Sequence, residues 1–207
     1  TTIAGPVSLY GTDISVSGAI STTTLGSDIL IKSKGSAIIS ADIKTNGGDI
    51  TLWTDADANG TGGVRVDDNS DFDSRTQIDR TANTHTTGGG NIIFAGGLDD
   101  AGVASGTSSL TTNLVSADGY PDGYAVNSGS TITQTGIVLG TSTAATGHNS
   151  NITIFSGGGD IRLHGLASNN STNAGNGPTG LLFYHGYNIN AGTNGNVVLL
   201  GNANLSS

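Results

Sequence analysis

Asp55-Ala56-Asp57-Ala58-Asn59-Gly60-Thr61 is the sharpest chemical motif in the chain. Oxygen-bearing side chains alternate with small residues, and a glycine stands where a calcium loop bends. Asp55, Asp57, Asn59 and Thr61 are therefore spaced to meet one hard cation. The glutamate that closes such a loop at its twelfth position is absent. Val66 stands there, followed by Asp67 and Asp68, and Asp67 is the carboxylate that could fold back to complete the set. Calcium is the one cofactor this pattern calls for. The competing reading is a solvated loop whose Asp and Asn side chains only cap turns.

Two further constellations carry chemistry. Tyr120 and Tyr124 flank Pro121-Asp122-Gly123 in a turn sequence. Aromatic faces beside the Asp122 carboxylate suit a glycan or protein partner; the alternative is a tyrosine packed on the flank of the fold. Asp99-Asp100 with Leu163-His164-Gly165 and Tyr184-His185-Gly186 sketches an enzyme, since paired carboxylates can activate water and protonate a glycosidic oxygen. Polygalacturonases carry an Asp pair and a Gly-His-Gly. Here the first glycine of that triplet is missing, as are the family's Asn-Thr-Asp and Arg-Ile-Lys partners, and no nucleophile elbow frames a serine. The reading is a chain that is not an enzyme, with a pectinase-like activity as the alternative.

The elements that must position these residues are short strands. All 16 acidic residues are Asp, Met and Cys are absent, and Gly numbers 34 among 207 residues. So few strong helix formers and so many turn residues exclude helical bundles, coiled coils and doubly wound α/β folds. A net charge of −9 with 7 basic residues excludes nucleic acid as a partner. No apolar run approaches the ~18–20 residues of a membrane span, so no membrane insertion is expected.

One phrase recurs: a glycine or polar residue, Asp or Asn, a β-branched residue, any residue, then a large apolar one. It occurs at Asp13-Ile14-Ser15-Val16, Asp28-Ile29-Leu30-Ile31, Asp49-Ile50-Thr51-Leu52, Asn91-Ile92-Ile93-Phe94, Asn151-Ile152-Thr153-Ile154, Asp160-Ile161-Arg162-Leu163 and Asn196-Val197-Val198-Leu199. Each is a period-2 strand with one buried face, entered through a turn-closing residue. Between Ile29 and Ile50 the phrase returns after 21 residues, one turn of a solenoid. The expected fold is all-β, a parallel β-helix (β-solenoid) over residues 1–207 as a single segment. Long inserted loops fall at about 55–88, 97–130 and 167–180, leaving roughly six turns, or about 30 Å at ~4.8 Å per turn. Trp53, Phe94, Phe155 and Phe183 are expected in the core or in stacked ladders. Thr1-Thr2-Ile3 and Asn202 to Ser207 read as mid-coil sequence without a cap, so end-to-end stacking is expected.

Gly47-Gly48-Asp49-Ile50-Thr51-Leu52 and Gly158-Gly159-Asp160-Ile161-Arg162-Leu163 resemble the coil motif of filamentous-haemagglutinin-like exoproteins. The resemblance implies a right-handed β-helix from a secreted bacterial adhesin, extracellular or on the cell surface, acting in adhesion, biofilm or filaments. The family's Asn-Pro-Asn-Leu secretion motif is absent, so the resemblance places the chain in a shaft or repeat segment. It implies a structural, adhesive building block with itself and glycans as partners. The alternatives are the carbohydrate-active enzyme and a calcium-dependent glycan-binding module.

Overall fold

Every recurrence of the phrase forms a strand, because β-branched residues are stiff and favour the extended backbone while the alternation gives each strand one face to bury. In a computed structural model, residues 1–84, 88–99, 118–127, 135–140, 151–167, 179–184 and 186–203 are described. Along the chain the strands are β1 (Thr2–Ile3), β2 (Val7–Gly11), β3 (Ile14–Val16), β4 (Ile20–Thr22), β5 (Ile29–Ser33), β6 (Ala37–Ile39), β7 (Ile43–Lys44), β8 (Ile50–Thr54), β9 (Val64–Val66) and β10 (Asp71–Asp73). After a short helix, α1 (Gln77–Ala82), come β11 (Ile92–Gly96), β12 (Ala125–Asn127), β13 (Thr135–Leu139), β14 (Ile152–Phe155), β15 (Ile161–Ala167), β16 (Thr179–Phe183), β17 (Tyr187–Asn190) and β18 (Val197–Ala203).

These strands build three parallel sheets. Sheet A runs β1-β4-β7-β10-β14-β17, sheet C runs β3-β6-β9-β13-β16, and sheet B runs β2-β5-β8-β11-β15, with both β12 and β18 also paired to β15. The chain visits B, C and A in turn and then climbs one rung, which is the winding of a parallel β-helix. The register keeps like on like. Val7, Ile29, Ile50, Ile92, Ile161 and Val197 form one inward column of sheet B. Ile20, Ile43, Phe72, Ile154 and Ile189 form one of sheet A. Phe72 meets Phe94 edge-on in the core, 4.7 Å between ring centroids.

The polar residue before each strand links one coil to the next. Asp28 Oδ1 accepts the Asp49 backbone N–H (2.8 Å), Asp49 that of Asn91 (2.6 Å), Asn91 that of Asp160 (2.9 Å) and Asp160 that of Asn196 (2.9 Å). Asp13 does the same for Ser36, and Asp42 for Asp71. At the A-to-B corner, buried hydroxyls of Thr22, Thr45, Ser74 and Ser156 donate across the turn to the carbonyls of Ser27, Gly48, Gly90 and Gly159. The paired glycines of the motif divide two tasks. Gly47 takes a positive φ of 80°, whereas Gly48, Gly90, Gly159 and Gly195 form a column in which a Cβ would lie 2.1–2.3 Å from the backbone of the coil beneath.

The expected loop at 55–88 holds β9, β10 and α1, so two strands of the third coil lie inside it. Val64-Arg65-Val66 lacks the preceding Asp or Asn of the recurring phrase, and Asp71-Phe72-Asp73 has only one apolar side chain. Helix α1 is capped by Thr76, which accepts the Asp79 N–H, and ends at Asn83 in the left-handed region (φ 52°). Its Arg80 donates to the carbonyls of Thr45 and Arg75, and the buried Arg75–Asp73 ion pair (2.7 Å) completes that corner. Strand β12 falls within the expected 97–130 insertion. Residues 100–117 and 128–130 of that insertion lie outside the described residues, as do residues 168–178 of the one at 167–180.

Candidate functional site

Sheet B turns one face to the core and the other outward, and the outward residues run in register from coil to coil. Trp53 on β8 belongs to this outer face and not to the core: Lys32 Nζ sits 3.2 Å from its ring centroid, and its Nε1 donates to the Gly97 carbonyl at 2.7 Å. Beyond it come Ile93 on β11, then Arg162 and His164 on β15, then Val198 and Leu200 on β18. The described end of the insertion after β11, residues 118–123, lies against this face. Asp99 ties its ends together by accepting the N–H groups of Asp118 (2.9 Å) and Gly119 (3.0 Å). Gly123 N donates to the Gly96 carbonyl (2.9 Å), and Asp122 N to that of Leu98 (3.0 Å).

The result is a cleft of about 250 Å³. Its floor is Ile93, Arg162, His164, Val198 and Leu200, and its wall is Asp118 to Asp122. Tyr120 is fixed in that wall because its hydroxyl donates to Asp49, a member of the coil-to-coil ladder. Burial, and then the bond to Asp49, push its phenol up to about 12. At one end, Asp160 accepts from Asn196 and from Arg162 Nη2 (3.1 Å). Burial alone would raise this carboxyl, but the Asn196 and Arg162 donors outweigh it and hold Asp160 below the usual range. His164 is pushed down to about 4 by burial, with Arg162 adding to the effect, so its imidazole is neutral at pH 7. Both its ring nitrogens are buried without a hydrogen-bond partner among the described residues.

The sequence motifs fare differently. Tyr120 and Asp122 line the cleft, but Tyr124 is only 6% exposed and packs with Val126 and Leu166. Its ring lies 6.3 Å from that of His164 and offers no face to a ligand. In the 55–61 loop, Asp55 is buried with φ 48°, and its carboxylate accepts the N–H groups of Gly60 (3.1 Å) and Thr61 (3.3 Å). Burial raises it to about 6 against those donors. Asp57 and Asn59 are exposed, and Asn59 accepts the Thr61 hydroxyl. Asp67 is engaged elsewhere, with Arg65 Nε (2.7 Å) and the Ser40 hydroxyl. Among the described residues, no group of three His, Cys, Asp or Glu is gathered as a metal site. Of the residues sketched as enzymatic, Asp99 closes the insertion and His164 floors the cleft, while Asp100 and His185 lie outside the described residues.

Motif reading alone missed the grouping of Arg162, Asp160 and Asn196 beside Tyr120. Its signal is the register. Once Asp160 is aligned with Asn91 and Asn196, Arg162 and His164 must point outward at the coil the insertion covers. No family model matches the chain, nor does any curated protein or solved structure.

Proposed function

We propose that the chain is a structural and adhesive building block of a bacterial extracellular filament or surface adhesin. It does no chemistry of its own, associates end to end, and presents the sheet-B cleft and its loops to glycans. The observation that carries this reading is the ladder. Asp28, Asp49, Asn91, Asp160 and Asn196 commit their side chains to joining coil to coil, which is the chemistry of a shaft. The same logic extends past the last rung. Val197 and Leu199 continue the inward columns of sheet B yet are 45% and 43% exposed, so a further coil stacked on β18 would cover them. Neither β18 nor β2, at the opposite edge, has a strand partner on its outer side among the described residues. A head-to-tail contact of this kind generates an open filament. The resemblance to filamentous-haemagglutinin-like exoproteins points the same way.

Electron microscopy with sedimentation over a concentration series tests the reading. Filaments or concentration-dependent growth are expected; strictly monomeric particles at high concentration would remove self-association. The carbohydrate-active alternative draws on the carboxylates of the cleft. Robust turnover of an acidic polysaccharide, lost in Asp122→Asn, would replace the non-catalytic reading with it.

A further inference from the structure

The cleft over sheet B has the features of a built site rather than a gap under a loop. Its aromatic wall is pinned: the Tyr120 hydroxyl is held by Asp49, so the ring face is oriented before any ligand arrives. Preorganised aromatic area binds at low entropic cost. Its polar groups are planar and only partly used. Arg162 has five N–H donors, and its described contacts use one, to Asp160. Asn196 donates through Nδ2 to Asp160, which leaves its side-chain carbonyl to accept. Asp118 uses one oxygen on the Tyr120 N–H, at 3.0 Å. Val198, Leu200 and Pro121 supply apolar surface between these groups.

An apolar face bordered by donors and acceptors matches a sugar ring, which has C–H faces and hydroxyl edges. An extended peptide is a poorer match. It would seek an open strand edge; β11 and β15 are each paired on both sides, and the free edge of β18 is the one that end-to-end stacking takes up. Charge narrows the class further. Asp118, Asp122 and Asp160 set three carboxylates against the one guanidinium of Arg162, with His164 neutral. A uronate or sulfated sugar would enter against that field, because charges at contact distance in a partly desolvated cleft repel strongly. The volume, about 250 Å³, lies just below the usual range of ligand pockets (about 300–1,000 Å³), which suits one sugar unit or the terminus of a chain.

We propose that this cleft binds an uncharged saccharide unit, stacked on Tyr120, with hydroxyls held by Arg162, Asn196 and Asp118. The inference rests on the reading of the chain as an adhesive shaft and names the ligand class of that shaft's lateral site.

The test is calorimetric titration of the intact chain. The probes are neutral di- and trisaccharides of glucose, galactose, mannose and N-acetylglucosamine, with trigalacturonate and a lysine-rich peptide alongside. At least one neutral saccharide should saturate, with trigalacturonate binding at least tenfold more weakly. Tyr120→Ala should lose at least tenfold in affinity, and Tyr120→Phe, which keeps the ring but not its tether, should lose less. Arg162→Gln, on a fully paired strand, should weaken binding at least tenfold while its melting midpoint falls only slightly, since the bond lost is the partly exposed one to Asp160. No saturation by any neutral saccharide, tighter binding of trigalacturonate or of the peptide, or full affinity in both Tyr120→Ala and Arg162→Gln would each overturn the proposal. Microscopy of the same preparation separates the two readings. Filaments that bind no saccharide remove the inference alone, and a monomer that binds saccharide removes self-association alone.

Discussion

Replacing Gly90 with alanine tests whether close coil stacking, rather than turn conformation, is what the second glycine of the motif supplies. A Cβ at Gly90 would lie 2.3 Å from the carbonyl carbon and oxygen of Gly48 and 2.6 Å from the Asp49 nitrogen, whereas ordinary contacts run 3.4–4 Å. Every atom in the way is backbone, so the fourth coil would have to lift by about 1 Å. The bonds that oppose the lift are Asp49 Oδ1 to Asn91 N at 2.6 Å and Ile50 N to the Asn91 carbonyl at 2.8 Å. A 1 Å displacement takes both beyond hydrogen-bonding range. One neutral bond is worth about 0.5–1.5 kcal/mol and one to a charged group about 1.5–3, so Gly90→Ala should cost about 3 kcal/mol. Gly90 does not have a positive φ, so a purely conformational account predicts the opposite sign, a gain of about 0.4–1 kcal/mol from a stiffer unfolded chain. Gly18→Ala is the control, since nothing lies within 4 Å of the added atom there. In urea, with slopes of about 1–3 kcal/mol per molar, Gly90→Ala should lower the midpoint by about 1 M or more and Gly18→Ala should leave it level or slightly higher. Equal midpoints for the two variants would refute the stacking argument.

Four further outcomes are expected. Asp55 is raised to about 6 when folded, so stability falls as pH rises from about 3.8 to 6; His164 is lowered to about 4, so its contribution rises with pH from about 4 to 6.5. The two slopes oppose, and urea midpoints of Asp55→Asn against pH should show the rising limb unmasked; an unchanged profile would contradict the assignment. Asp49→Asn should bring the Tyr120 phenol part of the way back from about 12 in a spectrophotometric titration, burial holding the rest; no movement would mean that the hydroxyl has no bond to Asp49. Ser156→Ala should cost about 1 kcal/mol, because its buried hydroxyl serves the carbonyls of Gly159 and Ala191, and a neutral result in urea would contradict that role. Calcium or chelator should shift the melting midpoint by less than about 1 °C, since Asp55 and Asp67 already have protein partners; a larger rise with calcium would show that the 55–61 loop takes a cation.

The regular coils were legible in the sequence because their spacing is regular. Ile29 pairs with Ile50 in the structure as the 21-residue return requires, and Asp28 and Asp49 fall in one ladder. Legibility failed where the recurring phrase is incomplete. Val64-Arg65-Val66 alternates as Ile14-Ser15-Val16 does, but Gly63 stands where the phrase has Asp or Asn, and Asp71–Asp73 offers only one apolar side chain, although Phe72 fills the core. Helix α1 was hidden because its six residues are too few to show a helical period, and it is held by the Thr76 cap and by tertiary contacts from Arg80. The motif at 55–61 showed its oxygens but not their orientation, and a positive φ turns Asp55 onto backbone donors of its own loop. Tyr120 and Tyr124 are four residues apart and look alike, yet one lines the cleft and the other is buried. Only the three-dimensional path of the insertion separates them.

The absence of Glu has a structural reason that also reaches the site. Coils stack about 4.8 Å apart, and a carboxylate one carbon from the backbone spans that gap to the next N–H. A Glu side chain would overshoot by a methylene, whereas Asn reaches as well as Asp, so the ladder reads Asp28, Asp49, Asn91, Asp160, Asn196. Stacked carboxylates repel, and the ladder limits this in two ways. Asn91 separates Asp49 from Asp160, and the second oxygen of each flanking Asp has an outside donor: the Tyr120 hydroxyl for Asp49 and Arg162 for Asp160. Those two donors are also the wall and the floor of the cleft. The side chains that donate to the shaft's own ladder are therefore the ones placed to meet a ligand. A substitution at Asp49 or Asp160 should disturb stacking and binding together, whereas one at Val198 or Leu200 should touch binding alone.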